Sequence, residues 1–327
     1  MIKSILTKKI LYWYDNNKRS LPWRKKLSQV KREYYTLVSE FMLQQTQVVT
    51  VVPYFNNFIK DIPSIRSLAK INDNKLLKYW EGLGYYSRVR NLKKTAQILE
   101  KNFKGRLPST IEELKLLPGI GEYTANAIMA IGFNKPFIPL DGNIERVIKR
   151  LLNLKLISEV SKENLNSKKK ILGTSVRASD YAQALMELGA LVCRPKNPLC
   201  GQCPLTKNCK SFKNNDFKII KERKKKINKF YLLKVYKKNN QFLLVKNTKF
   251  NFLKNLKIFP MDEIPKHSNL KKDLNFKISN MNMNIIVQFI KIKESIPNSS
   301  WIDSSKIDGY TLPTFTKKIF NYLEKNK

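Results

Sequence analysis

Four cysteines fall within one short window of the chain: Cys193, Cys200, Cys203 and Cys209, spaced C-x6-C-x2-C-x5-C. Thiolates gathered this closely suit a tetrahedral metal or an iron–sulfur cluster. Disulfides are disfavoured, because the N-terminus does not read as an export signal and the expected compartment is reducing. Structural zinc sites built from four cysteines pair two short knuckles, and only one C-x2-C knuckle stands here. The spacing therefore favours the cluster, with zinc as the alternative. No further ligand is left for a catalytic metal, so the expected role is structural. The cysteine loop, Arg194 to Lys210, is basic and could face phosphates.

Two acids stand in suggestive places. Glu40 lies between Val38 and Phe41-Met42-Leu43, an apolar setting that would desolvate its carboxyl and raise its pKa. The ordinary reading of Ser39-Glu40 is a helix cap followed by a first-turn acid. Asp141 precedes Gly142 at an apparent helix start, where the ordinary role is an N-cap. Between these acids runs Leu117-Pro118-Gly119-Ile120-Gly121, flanked by helical pattern on both sides. This is the helix-hairpin-helix signature. Its glycines let backbone N–H groups face an anion at the head of the second helix, and a DNA phosphate is the natural ligand. An ordinary helix–helix turn is the alternative.

The elements that must hold these residues are mainly helical up to the cysteines. Amphipathic patterns cover 34–60, then 75–103 with a break at Glu81-Gly82-Leu83-Gly84, and a helix runs from Ala182 to Val192. Prolines 63, 108, 118, 136 and 139 punctuate them, as in a compact bundle. Lys-rich residues 211–229 read as a linker. Beyond it the period changes. FYLLKVY, NQFLLVKN and NMNIIVQFIKI read as strands, and PTFTKKIFNYLEK as a helix.

The whole chain has 327 residues, enough for two domains or three small ones. Its 63 Lys and Arg against 25 Asp and Glu give a net charge of +38. A polyanionic partner fits this balance, nucleic acid above all. The excess is nearly all Lys and is spread along the chain, so A/T-rich codon usage explains it equally well. The single histidine, His267, leaves no room for a zinc site needing two, and any His-based nucleophile pair would have to rest on it alone. No apolar run approaches the roughly 18 residues of a membrane span, and Lys8, Lys9 and Asp15 argue against a signal peptide. The expected location is cytoplasmic, associated with the nucleoid.

Taken together, the pieces resemble the helix-hairpin-helix DNA glycosylases that carry an iron–sulfur cluster, and within them the MutY-type adenine DNA glycosylases. The matching strings are Leu21-Pro22-Trp23-Arg24, SEFMLQQTQV (39–48), VVPYF (51–55), WEGLGYYSRVRNL (80–92), LPGIGEYTANAI (117–128), LDGNIERV (140–147), ALMELGALVC (184–193) and the cysteine loop. The resemblance implies a mainly α fold. Residues 1–210 would form a helix-hairpin-helix body (a helical barrel plus a [4Fe-4S] helical domain). Residues 211–229 would be a basic linker and 230–327 a smaller α+β Nudix-like recognition domain. It also implies that Cys193, Cys200, Cys203 and Cys209 hold a [4Fe-4S] cluster.

Breaking the bond from C1′ to N9 of adenine requires an acid on the base and a negative charge beside the sugar cation, as in glycoside hydrolysis. The resemblance assigns the acid to Glu40, which also activates water, and the stabilising carboxylate to Asp141. Tyr123 and Asn143 are implied as positioning partners at the same site. The base must be flipped out of the duplex. Leu43, Gln45 and Tyr85 match residues that push into the gap and read the opposite base. Trp23 and Arg24 match residues lining the adenine pocket, and Gly119 and Gly121 belong to the phosphate-binding hairpin. By position alone, Leu43 and Tyr85 read as core residues.

The implied partner is duplex DNA with adenine opposite 8-oxoguanine or guanine, bound by a monomer. The family's Phe-Ser-His tip would fall on Ile278-Ser279-Asn280, which keeps only the serine, and no Nudix catalytic box occurs. A related class, the endonuclease III type, cuts the strand through a hairpin lysine. Tyr123 occupies that position and cannot form an imine, so a monofunctional hydrolase is expected. The two alternatives are such a lyase and a non-catalytic DNA-binding protein of the same fold.

Overall fold

The computed structural model describes residues 2–156, 158–218, 226–265, 272–278, 280–291 and 296–325. The chain divides into two compact units. One comprises Met1–Ile71 with Arg90–Glu222, the other Asn72–Val89 with Arg223–Lys327.

The first unit is helical. It contains α1 (Ile2–Asn17), α2 (Gln29–Leu43), α3 (Val48–Asp61) and α4 (Ile65–Lys70). The next helix, α5 (Asp73–Tyr79), lies in the other unit, and α6 (Ser87–Asn102) crosses the division. Then come α7 (Ile111–Leu116), α8 (Glu122–Ala127), α9 (Gly142–Leu152), α10 (Lys162–Lys168), α11 (Ala178–Glu187) and α12 (Lys210–Lys213). Two helices run on into a π-helical turn, α8 through Ile128–Gly132 and α11 through Leu188–Val192. Such turns recur near functional sites.

The pattern of apolar residues explains the packing. In α2, Tyr34, Leu37, Val38, Phe41 and Met42 recur at helical spacing and all are buried. In α9 the buried stripe is Ile144, Val147, Ile148 and Leu151. It shares one core with Leu6, Ile10, Trp13 and Tyr14 of α1 and with Tyr181, Ala184 and Leu185 of α11. Cys193, Cys203 and Cys209 pack on the edge of that core, so the helices that position Asp141 also carry the cysteine loop.

Sequence reading misplaces one feature here. Ser39 and Glu40 do not cap a helix. They lie near the C-terminal end of α2, and Ser39 Oγ donates to the carbonyl of Thr36 at 3.1 Å. The apolar stripe starts at Tyr34, so the helix has already formed before it reaches them.

The second unit holds two four-stranded sheets. Its strands are β1 (Ile227–Val235), β2 (Lys237–Lys238), β3 (Gln241–Lys246), β4 (Lys257–Ile258), β5 (Met261–Ile264), β6 (Leu274–Ile278), β7 (Met281–Phe289) and β8 (Ser299–Asp303). One sheet has the order β5-β1-β7-β6, with β1 parallel to β7 and its other pairings antiparallel. In the other, β3 pairs antiparallel with β2, β4 and β8. The closing helix α13 (Thr314–Lys325) buries Phe315, Ile319, Phe320 and Leu323 against both. Phe320 meets Phe242 edge-on at 5.4 Å and Phe259 at 4.9 Å between ring centroids. This small α+β unit is consistent with a Nudix-like domain.

Of the Lys-rich stretch, residues 211–218 return to the helical unit. Ser211 Oγ donates to Asn153 Oδ1 at 3.0 Å, and Lys155 pairs with Asp216 at 2.7 Å. Residues 219–225 of that stretch, Ser279 and His267 lie outside the described residues. The strand β6 ends at Ile278, which pairs with Met281 at the start of β7.

Candidate active site

Helices α2 and α8 and the start of α9 bring Glu40, Tyr123 and Asp141 together. Glu40 is only 4 % exposed. Burial pushes its carboxyl up to about 7. The nearby Asp141 charge adds to this, while a hydrogen bond from Tyr123 and the Arg24 charge act the other way. Glu40 Oε2 has no hydrogen-bond partner among the described residues. Tyr123 is held well above the usual phenol range by burial, then by the charges of Glu40 and Asp141. It therefore stays protonated and can only donate to the carboxylate.

Asp141 caps α9. Its Oδ1 accepts from the backbone N–H of Asn143 at 3.0 Å and of Ile144 at 2.7 Å, and its Oδ2 from Asn143 Nδ2 at 2.8 Å. Burial raises its pKa, and these three donors oppose the rise by stabilising the ionised form. The cap and the chemically interesting acid are thus one residue. Two carboxyls meet in different settings, one dry and held by Tyr123 alone among the described residues, the other furnished with three donors.

The donors to Asp141 lead to the cysteine loop. Asn143 Oδ1 accepts from Arg146 Nη2 at 2.8 Å, and the same nitrogen donates to the Gly189 carbonyl at 2.6 Å. Arg146 Nε reaches the carbonyl of Cys193, also at 2.6 Å. Gly189 permits this approach, since a Cβ there would sit 2.6 Å from Asn143 Cβ.

Trp23 is buried against Phe55, with ring centroids 5.2 Å apart. Arg24 pairs with Glu187 at 3.0 Å, and Arg19 grips the same carboxylate at 2.7 Å. Burial works to raise the Glu187 pKa, but the two arginines hold it below its usual value. Glu187, Arg19, Arg146 and Arg150 were not singled out from sequence. For Glu187 a signal existed, since an acid inside Ala184-Leu185-Met186-Glu187-Leu188 is as anomalous as Glu40.

At the hairpin, Gly119 adopts φ +82°, and a Cβ there would lie 2.9 Å from both Asn91 Cβ and a Phe41 ring carbon. Gly121 is in a different state. Its backbone is extended, at φ −91° and ψ −178°, and a Cβ would meet nothing within 4 Å. Thr95 Oγ1 ties the turn down through the Pro118 carbonyl at 2.9 Å.

Leu43 is half-buried at the end of α2. Gln45 is exposed in the loop that follows, in the left-handed region at φ +59°. Tyr85, in the other unit, is also left-handed at φ +48°. It is 44 % exposed, so it is no core residue.

The four cysteines line one cavity together with Arg150, Val192, Pro198, Thr206, Phe212 and Phe217. Donors face the sulfurs: Leu205 N–H is 3.4 Å from Cys203 Sγ, and Arg150 Nη1 is 3.5 Å from Cys193 Sγ. Arg150 also donates to the carbonyls of Arg194 at 2.6 Å and Pro195 at 3.0 Å, pinning the loop to α9. Burial first, and the neighbouring cysteines after it, push the Cys203 thiol up to about 11. Among the described residues, no three His, Cys, Asp or Glu side chains are grouped to hold a metal ion.

A helical body with a Pro-Gly-x-Gly hairpin, two facing carboxyls and a cysteine loop defines a base-excision DNA glycosylase of the helix-hairpin-helix class. Residues 38–170 match the HhH-GPD superfamily of base excision DNA repair proteins. The chain belongs to the adenine DNA glycosylase family and is an enzyme acting on N-glycosyl bonds. It is 36% identical to the adenine DNA glycosylase of Buchnera aphidicola subsp. Baizongia pistaciae, over 97% of this chain and 96% of that one. The human adenine DNA glycosylase is 40% identical over 62% of this chain and 38% of its own length. In fold, the chain is similar to a thermostable thymine-DNA glycosylase (TM-score 0.57, 24% identity, 65% of this chain and 97% of that one). It is also similar to endonuclease III trapped on DNA as a covalent intermediate (TM-score 0.53, 20% identity, 66% and 99%). No helix among the described residues is long and apolar enough to cross a membrane.

Proposed function

We propose that the protein hydrolyses the N-glycosidic bond of adenine mispaired with 8-oxoguanine, or with guanine, and does not cut the strand. The observation that carries this reading is the pairing of Glu40 with Asp141. One carboxyl, buried and raised to about 7, can keep a proton near neutrality, while the other is stabilised as an anion by three donors. Glu40 gives its proton to adenine N7, making the base a leaving group. Asp141 faces the sugar as positive charge develops, and Glu40 then takes a proton from the attacking water. Tyr123 keeps the Glu40 carboxyl in place and supplies no amine, which favours hydrolysis over β-elimination.

Trp23 and Arg24 line the pocket for a base turned out of the duplex, and Leu43, Gln45 and Tyr85 fill the gap it leaves. The amides at Gly119 and Gly121 hold a backbone phosphate. The region 1–210 does the chemistry, 211–229 links, and 230–327 senses the opposite base, with Ser279 at its tip. The enzyme acts as a monomer, in the cytoplasm, on duplex DNA.

Cys193, Cys200, Cys203 and Cys209 fit a [4Fe-4S] cluster. They share one cavity, and N–H donors suited to thiolates face two of the sulfurs. When bound, the cluster supplies a rigid, charge-bearing cross-link for the loop from Arg194 to Lys210. No step of the hydrolysis requires electron transfer.

The test is a labelled duplex carrying A opposite 8-oxoguanine. Product that breaks only after alkali is expected. Nicking without alkali and a borohydride-trapped adduct would mean a lyase. Unchanged behaviour of Glu40→Gln and Asp141→Asn would mean a binding protein.

A further inference from the structure

The segment 72–89 contains a buried cation that the proposed chemistry does not use. Arg88 is 6 % exposed. Its Nη2 donates to two successive carbonyls, Leu83 at 3.0 Å and Gly84 at 3.1 Å. Trp80 Nε1 donates to the same Gly84 oxygen, also at 3.1 Å. The guanidinium carbon lies 5.4 Å from the centroid of the Trp80 ring and 5.6 Å from that of Tyr85. Burial lowers its pKa only to about 10, so it is charged at neutral pH.

These contacts converge on a short loop in an uncommon conformation. Gly82 and Gly84 have φ of +98° and +70°, and Tyr85 follows at φ +48°. A bulky residue held left-handed is strained and persists only where its surroundings enforce it. The carbonyls just before Tyr85 are fixed by Arg88 and Trp80, and the tyrosine ring leans on the guanidinium while half its surface stays open. Both carbonyl bonds come from one nitrogen, which an ammonium could copy; what Lys lacks is the flat guanidinium that also reaches the Trp80 and Tyr85 rings.

We infer that Arg88 is a positioning residue that preorganises Tyr85 as a rigid wedge for the DNA stack. The inference deepens the proposed role of Tyr85 and rests on it. Insertion of a pre-set side chain avoids the ordering cost that a mobile one would meet on binding. Arg88 touches no reacting atom; its effect passes through the shape of the loop.

The experiment uses the full chain as wild type, Tyr85→Ala, Arg88→Lys and the double variant, with Arg88→Gln as a second probe and thermal unfolding to verify folding. Each is mixed with a duplex carrying A opposite 8-oxoguanine and 2-aminopurine beside the adenine. Fluorescence reports unstacking, and alkali-labile product reports excision. We expect Arg88→Lys to reduce both the fluorescence response and the single-turnover rate by about tenfold, as Tyr85→Ala does. The double variant should be no slower than Tyr85→Ala, because Arg88 has nothing left to position. Equal factors in both backgrounds, or a wild-type response from Arg88→Lys and Arg88→Gln, would overturn the inference. A Tyr85→Ala variant that behaves as wild type would overturn it too. A fluorescence response that depends on both residues without any product would leave the inference standing and remove adenine hydrolysis instead.

Discussion

The Asn143 side-chain amide donates to Asp141 Oδ2 across 2.8 Å, and its carbonyl end is held by Arg146 at 2.8 Å. Neither end can turn without breaking a bond to a charged group, so the amide orientation is fixed by its partners. Arg146 in turn spans to the carbonyls of Gly189 and Cys193. The carboxylate proposed to face the sugar is therefore oriented from the loop that begins at the first cysteine.

Arg146→Met should lose this orientation while keeping most of the packing. We expect excision to fall about tenfold to a hundredfold, with duplex binding changed far less, since the lost contacts support the carboxylate rather than the phosphates. Single-turnover kinetics beside an equilibrium binding titration check the split. Equal losses in both would show that Arg146 serves DNA binding.

Glu187 is fully buried and carries both Arg19 and Arg24. Glu187→Gln leaves two guanidiniums facing a neutral amide, Arg24 largely buried and Arg19 36% exposed. The expected cost is about 3 kcal/mol, the low end of the range for breaking a buried charge pair, because Arg19 keeps part of its hydration. Denaturant unfolding measures it. Arg24→Met, which removes the less exposed partner and leaves the Arg19 bidentate contact, should cost distinctly less.

How far these arrangements could be read from sequence depends on the kind of interaction. The α2 stripe from Tyr34 to Met42 repeats at helical spacing, and β1, β3 and β7 are β-branched or aromatic runs, so local pattern reveals them. The strands β4 and β5 are short and flank Pro260, and only pairing with β3 and β1 makes them strands, whereas β6 alternates apolar and polar residues as Leu274-Asn275-Phe276-Lys277-Ile278, a local signal that the sequence reading passes over. The hairpin and the cysteines are legible because their chemistry is consecutive in the chain. The contacts of Arg146 with Gly189 and of Arg24 with Glu187 join residues far apart in sequence, and nothing local announces them. The distinction between Gly119 and Gly121 is likewise a matter of neighbours, since the sequence writes the two alike.

That distinction makes a sharp prediction. Gly119→Ala must hold a Cβ at φ +82° against Phe41 and Asn91, so it should destabilise the protein by about 1–3 kcal/mol. Gly121→Ala meets open space in an ordinary extended conformation, and its stability should stay within about 0.5 kcal/mol of wild type. If Gly121→Ala nevertheless weakens DNA binding, the small residue is there to let a phosphate approach. Thermal unfolding and a binding titration on both variants separate the two roles.

Glu40 gives the clearest pH signature. Its folded pKa is raised from 4.5 to about 7, chiefly by burial, with Asp141 adding to the rise and Tyr123 and Arg24 opposing it. A carboxyl raised on folding stabilises the protein fully below about pH 4.5, where both states are protonated. That contribution drains away as pH climbs through about 7 and is gone above it. The group is fully enclosed, so the loss is on the order of 3 kcal/mol. Glu40→Gln removes the titration. Its stability relative to wild type should rise between pH 4.5 and 8 and then level off, which chemical denaturation at several pH values measures. Activity should follow the same group in the same sense. Wild-type excision under single turnover should fall as pH passes about 7, because the proton for adenine is lost, and Glu40→Gln should show no excision at any pH. A Gln variant that is no more stable at pH 8 than at pH 5, relative to wild type, would mean that Glu40 titrates as an ordinary solvated acid and cannot keep its proton for the base.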